Sequence, residues 1–301
     1  MRVACFGLGL MGEPIAEHLI RCGHEVVLVA HRSRGAIDRL VAKGASEAAD
    51  GAAAVAATEV ALLLLPSSKE VEAVLFGARG AGAAMPAGYV VVDMGTCYPL
   101  DTRRLAARVE NIGGRFLDAP VTNGVEGARS ATLTVMVGGD REVLSFVRPL
   151  LEAFSREIHH FGAVGAGHTA KLVQNMIGWI EVAGIAEGLA LARATDLDLK
   201  TFFKMLSASH SNSPIVQWMI PKVFAGAFDD VEFRLDLAHK DIRQAAAMGR
   251  EMTSLPLPVA NAAVESFQLA RSLGFGAQDS TAVIRALETL LGETVRADLT
   301  S

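Results

Sequence analysis

Near the start of the chain, Gly7-Leu8-Gly9-Leu10-Met11-Gly12 sets three glycines at the spacing G-x-G-x-x-G. In this pattern the first glycine permits a tight turn and the second lets backbone N–H groups approach a pyrophosphate. The third lets the following helix pack on the preceding strand. The helix N-terminus then offers unpaired N–H donors and a positive dipole end to the phosphates. A glycine-rich turn that merely links strand to helix is the plain alternative. The apolar run Arg2 to Phe6 before it and the helical pattern after it favour a nicotinamide dinucleotide, with Gly7, Leu8, Gly9, Leu10, Met11 and Gly12 as contacts. The second apolar run, Glu25 to Ala30, leads into His31-Arg32-Ser33-Arg34, and the first acid comes only at Asp38. An acid at the end of this strand would accept from a ribose 2′-OH; two arginines and a serine suit a 2′-phosphate instead. His31, Arg32, Ser33 and Arg34 are therefore expected to contact the cofactor, and NADP is favoured over NAD. A solvated loop with incidental charge competes with that reading.

Hydride transfer to a carbonyl carbon leaves an alkoxide that must be protonated, and the reverse reaction needs a base. Lys171 and Asn175 are four apart in a long helical pattern and so share one face. A lysine ammonium can donate the proton and stabilise the developing charge. Burial, and Lys240 if it lies close, would lower the lysine pKa and favour the reverse role. Asn175 can hold substrate and lysine in one geometry. A lone lysine is more often an ordinary surface residue; Lys171 stands out because it follows the glycine-rich Gly165-Ala166-Gly167 and because it matches a motif of the family resemblance given below. His168 reads as a hinge residue rather than the base. His159 and His160 alternate across a strand, and His239 beside Lys240 is expected to be solvated. No His, Cys and carboxylate combination has metal-ligand spacing, so no metal is expected. Cys5, Cys22 and Cys97 read as free thiols.

The elements that must position these residues alternate in the first half. Apolar runs at Arg2 to Phe6, Glu25 to Ala30, Val60 to Leu65 and Tyr89 to Val92 suit strands buried on both faces of a parallel sheet. Further strands are expected at Arg115 to Asp118, Leu133 to Val137 and Glu157 to Phe161. The Ala-rich stretch 48–57 is expected to be a helix lying on the surface. After Gly162 the pattern turns helical: a long helix over Thr169 to Ala194, then Leu199 to Ser207, Ile215 to Val223, Leu235 to Met252, Pro258 to Leu273 and Thr281 to Leu291. The expected architecture is an α/β Rossmann N-terminal domain, doubly wound on a mostly parallel sheet, over 1–163. An all-α C-terminal domain for substrate binding and dimerisation covers 164–301. The chain of 301 residues is 51% hydrophobic with a formal net charge of −5, which argues against disorder and against a nucleic-acid partner. No segment reads as a membrane span, and cytoplasmic residence follows by default. The Ala-, Leu- and Val-rich helical half suggests a homodimer or homotetramer.

Taken together, several segments resemble the β-hydroxyacid dehydrogenase family, the relatives of 3-hydroxyisobutyrate dehydrogenase and tartronate semialdehyde reductase. The segments are the glycine loop, Leu65-Pro66-Ser67-Ser68, Asp93-Met94-Gly95-Thr96 and Asp118-Ala119-Pro120-Val121-Thr122-Asn123-Gly124. Thr132 to Gly139, Gly165 to Asn175 and the Lys240-Asp241 pair complete the set. The resemblance implies that Leu65, Pro66, Thr96 and Lys240 approach the cofactor. It also implies that Thr122, Asn123 and Gly124 bind a substrate carboxylate, and that Trp218 and Phe233 close the substrate pocket. The family loop has glycine where this chain has Asn123, whose side chain would fill space and suit a differently shaped acid or a sulfonate-like analogue. The implied reaction is reversible oxidation of a short β-hydroxy acid to its semialdehyde, with Lys171 and Asn175 as the catalytic pair. An imine reductase on the same scaffold, or a non-catalytic cofactor-binding dimer module, are the alternatives.

Overall fold

A computed structural model describes residues 1–29, 34–78 and 80–299. The chain divides into two compact units, Met1–Lys171 and Leu172–Ser301.

In the first unit, β1 (Arg2–Phe6), β2 (Glu25–Val29), β3 (Ser46–Ala48), β4 (Val60–Leu63), β5 (Val90–Asp93) and β6 (Arg115–Asp118) lie side by side in the order β3-β2-β1-β4-β5-β6, all parallel. This is the strand order of dinucleotide-binding folds, with its reversal between β1 and β4. β8 (Leu133–Gly139) continues the sheet antiparallel to β6 and to β7 (Val121–Thr122), and β9 (Ser155–Gly162) closes it parallel to β8. Helices α1 (Gly12–Arg21), α2 (Arg34–Val41), α3 (Gly51–Ala56), α4 (Ser68–Phe76), α5 (Pro99–Asn111), α6 (Gly124–Arg129) and α7 (Arg141–Glu152) connect the strands. The strands are apolar throughout because both faces are covered. Val3, Cys5, Leu62 and Val92 pack with Ile15 and Leu19 on one side, while Ala4, Phe6, Leu63 and Val91 pack with Val55 and Leu105 on the other.

One sequence reading changes here, and another falls outside the described residues. The Ala-rich tract supplies α3, capped by Asp50, but Ala54 and Val55 are fully buried under the sheet rather than lying on the surface. Ala30 to Ser33, the end of the second expected strand and part of the cofactor loop, lie outside the described residues.

The long helix α8 (Ala166–Ala194) contains the division between the units. It is long and apolar enough to cross a membrane by length and composition, a test that a core helix also passes. Here its Val182, Ala183, Ala186 and Leu189 enter the core of the second unit. That unit adds α9 (Leu199–Ser207), α10 (Pro214–Ala225), α11 (Leu235–Met248), α12 (Pro258–Ser272) and α13 (Ile284–Leu291). Met219, Ile220, Phe224, Ile242, Phe267 and Ile284 fill its centre. Asp198 and Ser213 cap α9 and α10 by accepting from Thr201 N at 2.7 Å and Val216 N at 3.1 Å. Such caps satisfy N–H groups that no helical carbonyl can reach. The expected helix to Met252 stops at Met248 and runs on as a wider π turn over Gly249–Thr253.

Candidate active site

The glycine loop sits at the C-terminal end of β1, and each glycine has a distinct physical reason. Gly7 has φ +92°, and a Cβ there would run into Leu64 O. A Cβ on Gly12 would collide with Gly7 O, so only glycine lets α1 start so close to the turn. Among the described residues, a Cβ on Gly9 would meet no atom within 4 Å. The loop is thus packed shut on the protein side at Gly7 and Gly12 and open at Gly9, where a phosphate would approach. Leu8 and Met11 are half-buried, and Leu10 is exposed. This cradle fits a dinucleotide pyrophosphate.

Two more loops leave the same sheet edge. Leu65 and Pro66 follow β4, and Thr96 follows β5. A Cβ on Gly95 would lie 2.5 Å from Leu65 O, so that glycine lets the two loops touch. Asp93 ends β5 and accepts from Gly95 N at 3.0 Å, which fixes the approach to Thr96. Arg34, the one described residue of the expected 2′-phosphate group, is exposed and already paired. Its guanidinium donates to Asp38 at 2.9 Å and to Glu47 at 2.6 Å.

After β6 the chain enters the candidate substrate loop. Asn123 adopts a left-handed backbone, φ 87°, and its side chain folds back on β8, donating to Thr132 O at 2.9 Å and Thr134 Oγ1 at 3.4 Å. The amide that stands where the family loop has a glycine is thus tied to the chain around β8. Thr122 is half-buried in β7, and Gly124 is exposed at the start of α6.

Lys171 is buried, 8% exposed, although it carries an ammonium. Beneath the first turn of its helix lies a polar cluster that sequence spacing did not announce. Asp93, Asp118, Thr102 and His168 are all fully buried, and Thr102 Oγ1 lies 2.8 Å from His168 Nδ1. His168 is therefore a fixed interior residue, not a hinge. Burial pushes the Asp93 carboxyl above the usual carboxylate range, opposed by the neighbouring His168. Asp93, Cys97 and His168 also bring three ligand-type atoms within 4.8 Å of one another, which revises the statement that no such set exists. Asp93 Oδ2 and His168 Nε2 stand 4.0 Å apart. Two ligands held by a tetrahedral zinc at about 2.0–2.1 Å would be roughly 3.3 Å apart, so the set is too wide for zinc as it stands.

In the second unit Asn175 is buried and donates to Asp241 Oδ2 at 2.7 Å; Asp241 Oδ1 pairs with Lys240 Nζ at 3.1 Å. Trp179, one turn beyond Asn175 on α8, packs its ring 5.1 Å from that of Phe233 and 5.9 Å from that of Phe267. Sequence reasoning does not single out Trp179, because an aromatic inside a long apolar helix carries no signal that separates it from plain core. Trp218 Nε1 donates to Glu232 Oε2 at 3.2 Å, and Lys222 Nζ donates to Glu232 Oε1 at 3.0 Å. Asp279 accepts from Glu232 N and Phe233 N at 3.0 and 3.3 Å, so Phe233 is held through its backbone. The structure thus groups Asn175 with Lys240 through Asp241, and Trp218 with Phe233 through Glu232. His239 is buried, not solvated, and accepts from Arg271 at 3.1 Å.

Residues 2–162 match the family model for the NAD binding domain of 6-phosphogluconate dehydrogenase. Residues 165–287 match the model for the NAD-binding of NADP-dependent 3-hydroxyisobutyrate dehydrogenase. A 2-(hydroxymethyl)glutarate dehydrogenase of Eubacterium barkeri is 32% identical across 98% of this chain and 97% of its own length. A 2-hydroxy-3-oxopropionate reductase of Escherichia coli (strain K12) is 31% identical across 96% of this chain and 98% of its own. The chain belongs to the β-hydroxyacid dehydrogenase family. As a β-hydroxyacid dehydrogenase it is an NAD(P)-dependent oxidoreductase. A crystal structure of 3-hydroxyisobutyrate dehydrogenase from Salmonella typhimurium superposes with a TM-score of 0.87 at 27% identity, covering 95% of this chain and 99% of that one. An imine reductase from Bacillus cereus reaches a TM-score of 0.63 at 23% identity, a likeness of fold alone.

Proposed function

We propose that this dehydrogenase interconverts a short β-hydroxy acid and its semialdehyde, with Lys171 as the proton donor and acceptor. The observation that carries the reading is a buried lysine on the family motif Gly165-x-Gly167-x-x-x-Lys171, on the same helix as a buried Asn175. An ammonium is kept out of water at a cost, which suits a group that must give up and regain its proton. The Gly7–Gly12 cradle, with Leu65, Pro66 and Thr96, would hold NAD(P), which would supply or accept the hydride. In the reductive direction the carbonyl oxygen becomes an alkoxide and takes a proton from Lys171 Nζ. In the oxidative direction neutral Lys171 takes the hydroxyl proton.

Backbone N–H groups of the Thr122–Asn123–Gly124 loop and the Thr122 hydroxyl serve the substrate carboxylate. Asn175, oriented by Asp241, positions the substrate, and Trp218 and Phe233 shape its pocket. The substrate is a small anion, in keeping with the acids named for the two curated relatives. NADP remains the favoured form, with Arg32 and Ser33 as its further contacts. Segment 164–301 is the substrate and dimerisation domain. Ile177, Leu191 and Leu290, exposed on that half, support a homodimer or homotetramer, which light scattering after gel filtration would test.

The test of function is turnover of NADPH with 2-hydroxy-3-oxopropionate, succinic semialdehyde and the cyclic imine 1-pyrroline. An aldehyde is expected to be consumed and the imine left untouched. Lys171→Ala should abolish turnover while NADPH still binds; a rate near the parent's would overturn the assignment.

A further inference from the structure

We propose that Asp118 and His168 are positioning residues that fix the first turn of α8, and with it Lys171, relative to the loop that follows β6. The proposal rests on the proton-transfer reading of Lys171 above.

Asp118 is the last residue of β6 and is fully buried. Its Oδ1 accepts from Gly165 N and its Oδ2 from His168 N, both at 2.7 Å. A helix N-terminus normally receives its side-chain acceptor from the residue just before it. Here that residue is Gly165, which has no side chain, and a carboxylate from a distant strand takes its place. The negative charge also lies where the helix dipole favours it.

The surroundings are cut to admit this carboxylate. A Cβ on Gly138 would lie 2.6 Å from Asp118 Oδ1, and a Cβ on Gly167 would lie 2.9 Å from Oδ2. Both glycines of the family-like segments therefore have a local physical reason: any side chain would push the carboxylate off the helix. His168 adds a second tether. Its Nδ1 lies 2.8 Å from Thr102 Oγ1 on α5, and its Nε2 faces Asp93 Oδ2 of β5 across 4.0 Å. Both facing atoms are buried, and neither has a hydrogen-bond partner among the described residues.

Lys171 follows His168 by three residues, nearly one helical turn and a rise of about 4.5 Å. An error in the first turn therefore passes to Lys171 almost undiminished. Asp118 is also the residue directly before Ala119 to Gly124. One carboxylate thus sets both the start of the candidate substrate loop and the start of the helix bearing the proton donor. Neither Asp118 nor His168 needs to touch substrate to do this.

The test uses Asp118→Asn and Thr102→Val. The first turns one acceptor oxygen into an NH₂ that faces an N–H. The second keeps the side-chain shape but removes the hydroxyl beside His168. Each is assayed with the most active aldehyde of the panel above. For Asp118→Asn, kcat is expected to fall by about 10- to 100-fold, the scale of a misplacement near 1 Å. The loss for Thr102→Val should be smaller, while the NADPH dissociation constant stays within roughly twofold in both, as expected for a loss confined to the transition state. Amide hydrogen exchange over 165–171 should accelerate, and the pH profile of kcat and its isotope effect with 4-deuterated NADPH should both change. Parent-like turnover overturns the proposal. So does a loss of turnover in step with lost NADPH binding, or one with pH profile and isotope effect unchanged, because either marks a purely structural role. If Asp118→Asn does not fold, the same readouts on Thr102→Val decide. Lys171→Ala is run in parallel: if it stays active, the reading of Lys171 fails. If it is dead beside a parent-like Asp118→Asn, only the positioning proposal fails.

Discussion

Asn175 Nδ2 and Asp241 Oδ2 are joined at 2.7 Å inside the helical unit, and the other oxygen of the same carboxylate holds Lys240. One buried anion therefore orients an amide and a cation that both belong to the candidate site. Asp241→Asn is expected to remove the charge that Lys240 pairs with and to leave Asn175 free to rotate. Stability should fall by about 1.5–3 kcal/mol, the range for a hydrogen bond to a charged group. Specific activity should fall further than the stability loss explains, by about tenfold or more, as for other displaced positioning groups. Chemical denaturation and steady-state kinetics on one preparation check this; unchanged kcat/KM would remove Asn175 from the site.

The glycines of the cofactor loop separate folding from binding. Gly7 has φ +92° and no room for a Cβ beside Leu64 O, whereas Gly9 faces open space. Gly7→Ala is expected to lower the melting temperature or prevent folding. Gly9→Ala should melt within a few degrees of the parent but bind NADPH about tenfold or more weakly, because its methyl occupies the approach of the phosphates. Differential scanning fluorimetry and fluorescence titration measure the two effects. Equal loss of stability in both variants would contradict the division.

Much of this was legible in the sequence because the signals were local. β1 and β6 occupy the expected residues: Gly7 follows the first apolar run directly, and Asp118 ends the run that starts at Arg115, at a loop. α9 likewise spans the expected Leu199–Ser207. β3 escaped notice because Ser46-Glu47-Ala48 has no apolar run; it exists only by pairing with β2. Alanine packs equally well inside and outside, so composition could not tell that Ala54 is interior. The ties of Asp118 to Gly165 and of Asn175 to Asp241 span 47 and 66 residues, and no local pattern encodes contacts of that range. His239 was misjudged from its neighbour Lys240. Adjacent helix positions are about 100° apart, so one can face the core while the next points elsewhere.

Arg34 gives a prediction about cofactor choice. Its pairing with Glu47 and Asp38 is exposed, and such solvent-screened pairs contribute little, so a phosphate can displace them. Glu47→Gln is expected to strengthen NADPH binding by roughly two- to fivefold with little change for NADH, by removing a competing anion. Arg32→Asp should weaken NADPH far more than NADH. Paired fluorescence titrations at fixed ionic strength read both, and parallel changes for the two nucleotides would contradict a 2′-phosphate preference.

Stability below neutral pH should depend on His239. Burial, then the nearby Arg271 and Arg243, lower its pKa from 6.5 to about 4, against the weaker opposing pull of Asp236. Its Nδ1 accepts from Arg271, a bond that only the uncharged ring can make. The unfolded chain therefore takes up this proton first as pH falls. The His239 contribution is complete above about pH 6.5 and is lost progressively toward pH 4. His239→Asn keeps an acceptor near the Nδ1 position but cannot be protonated in this range. Urea denaturation at pH 7.5, 6, 5 and 4 should show the parent losing stability more steeply than the variant, with the two curves converging on the acid side. Equal slopes for both proteins between pH 6.5 and 4 would show that this histidine is not held neutral by its surroundings.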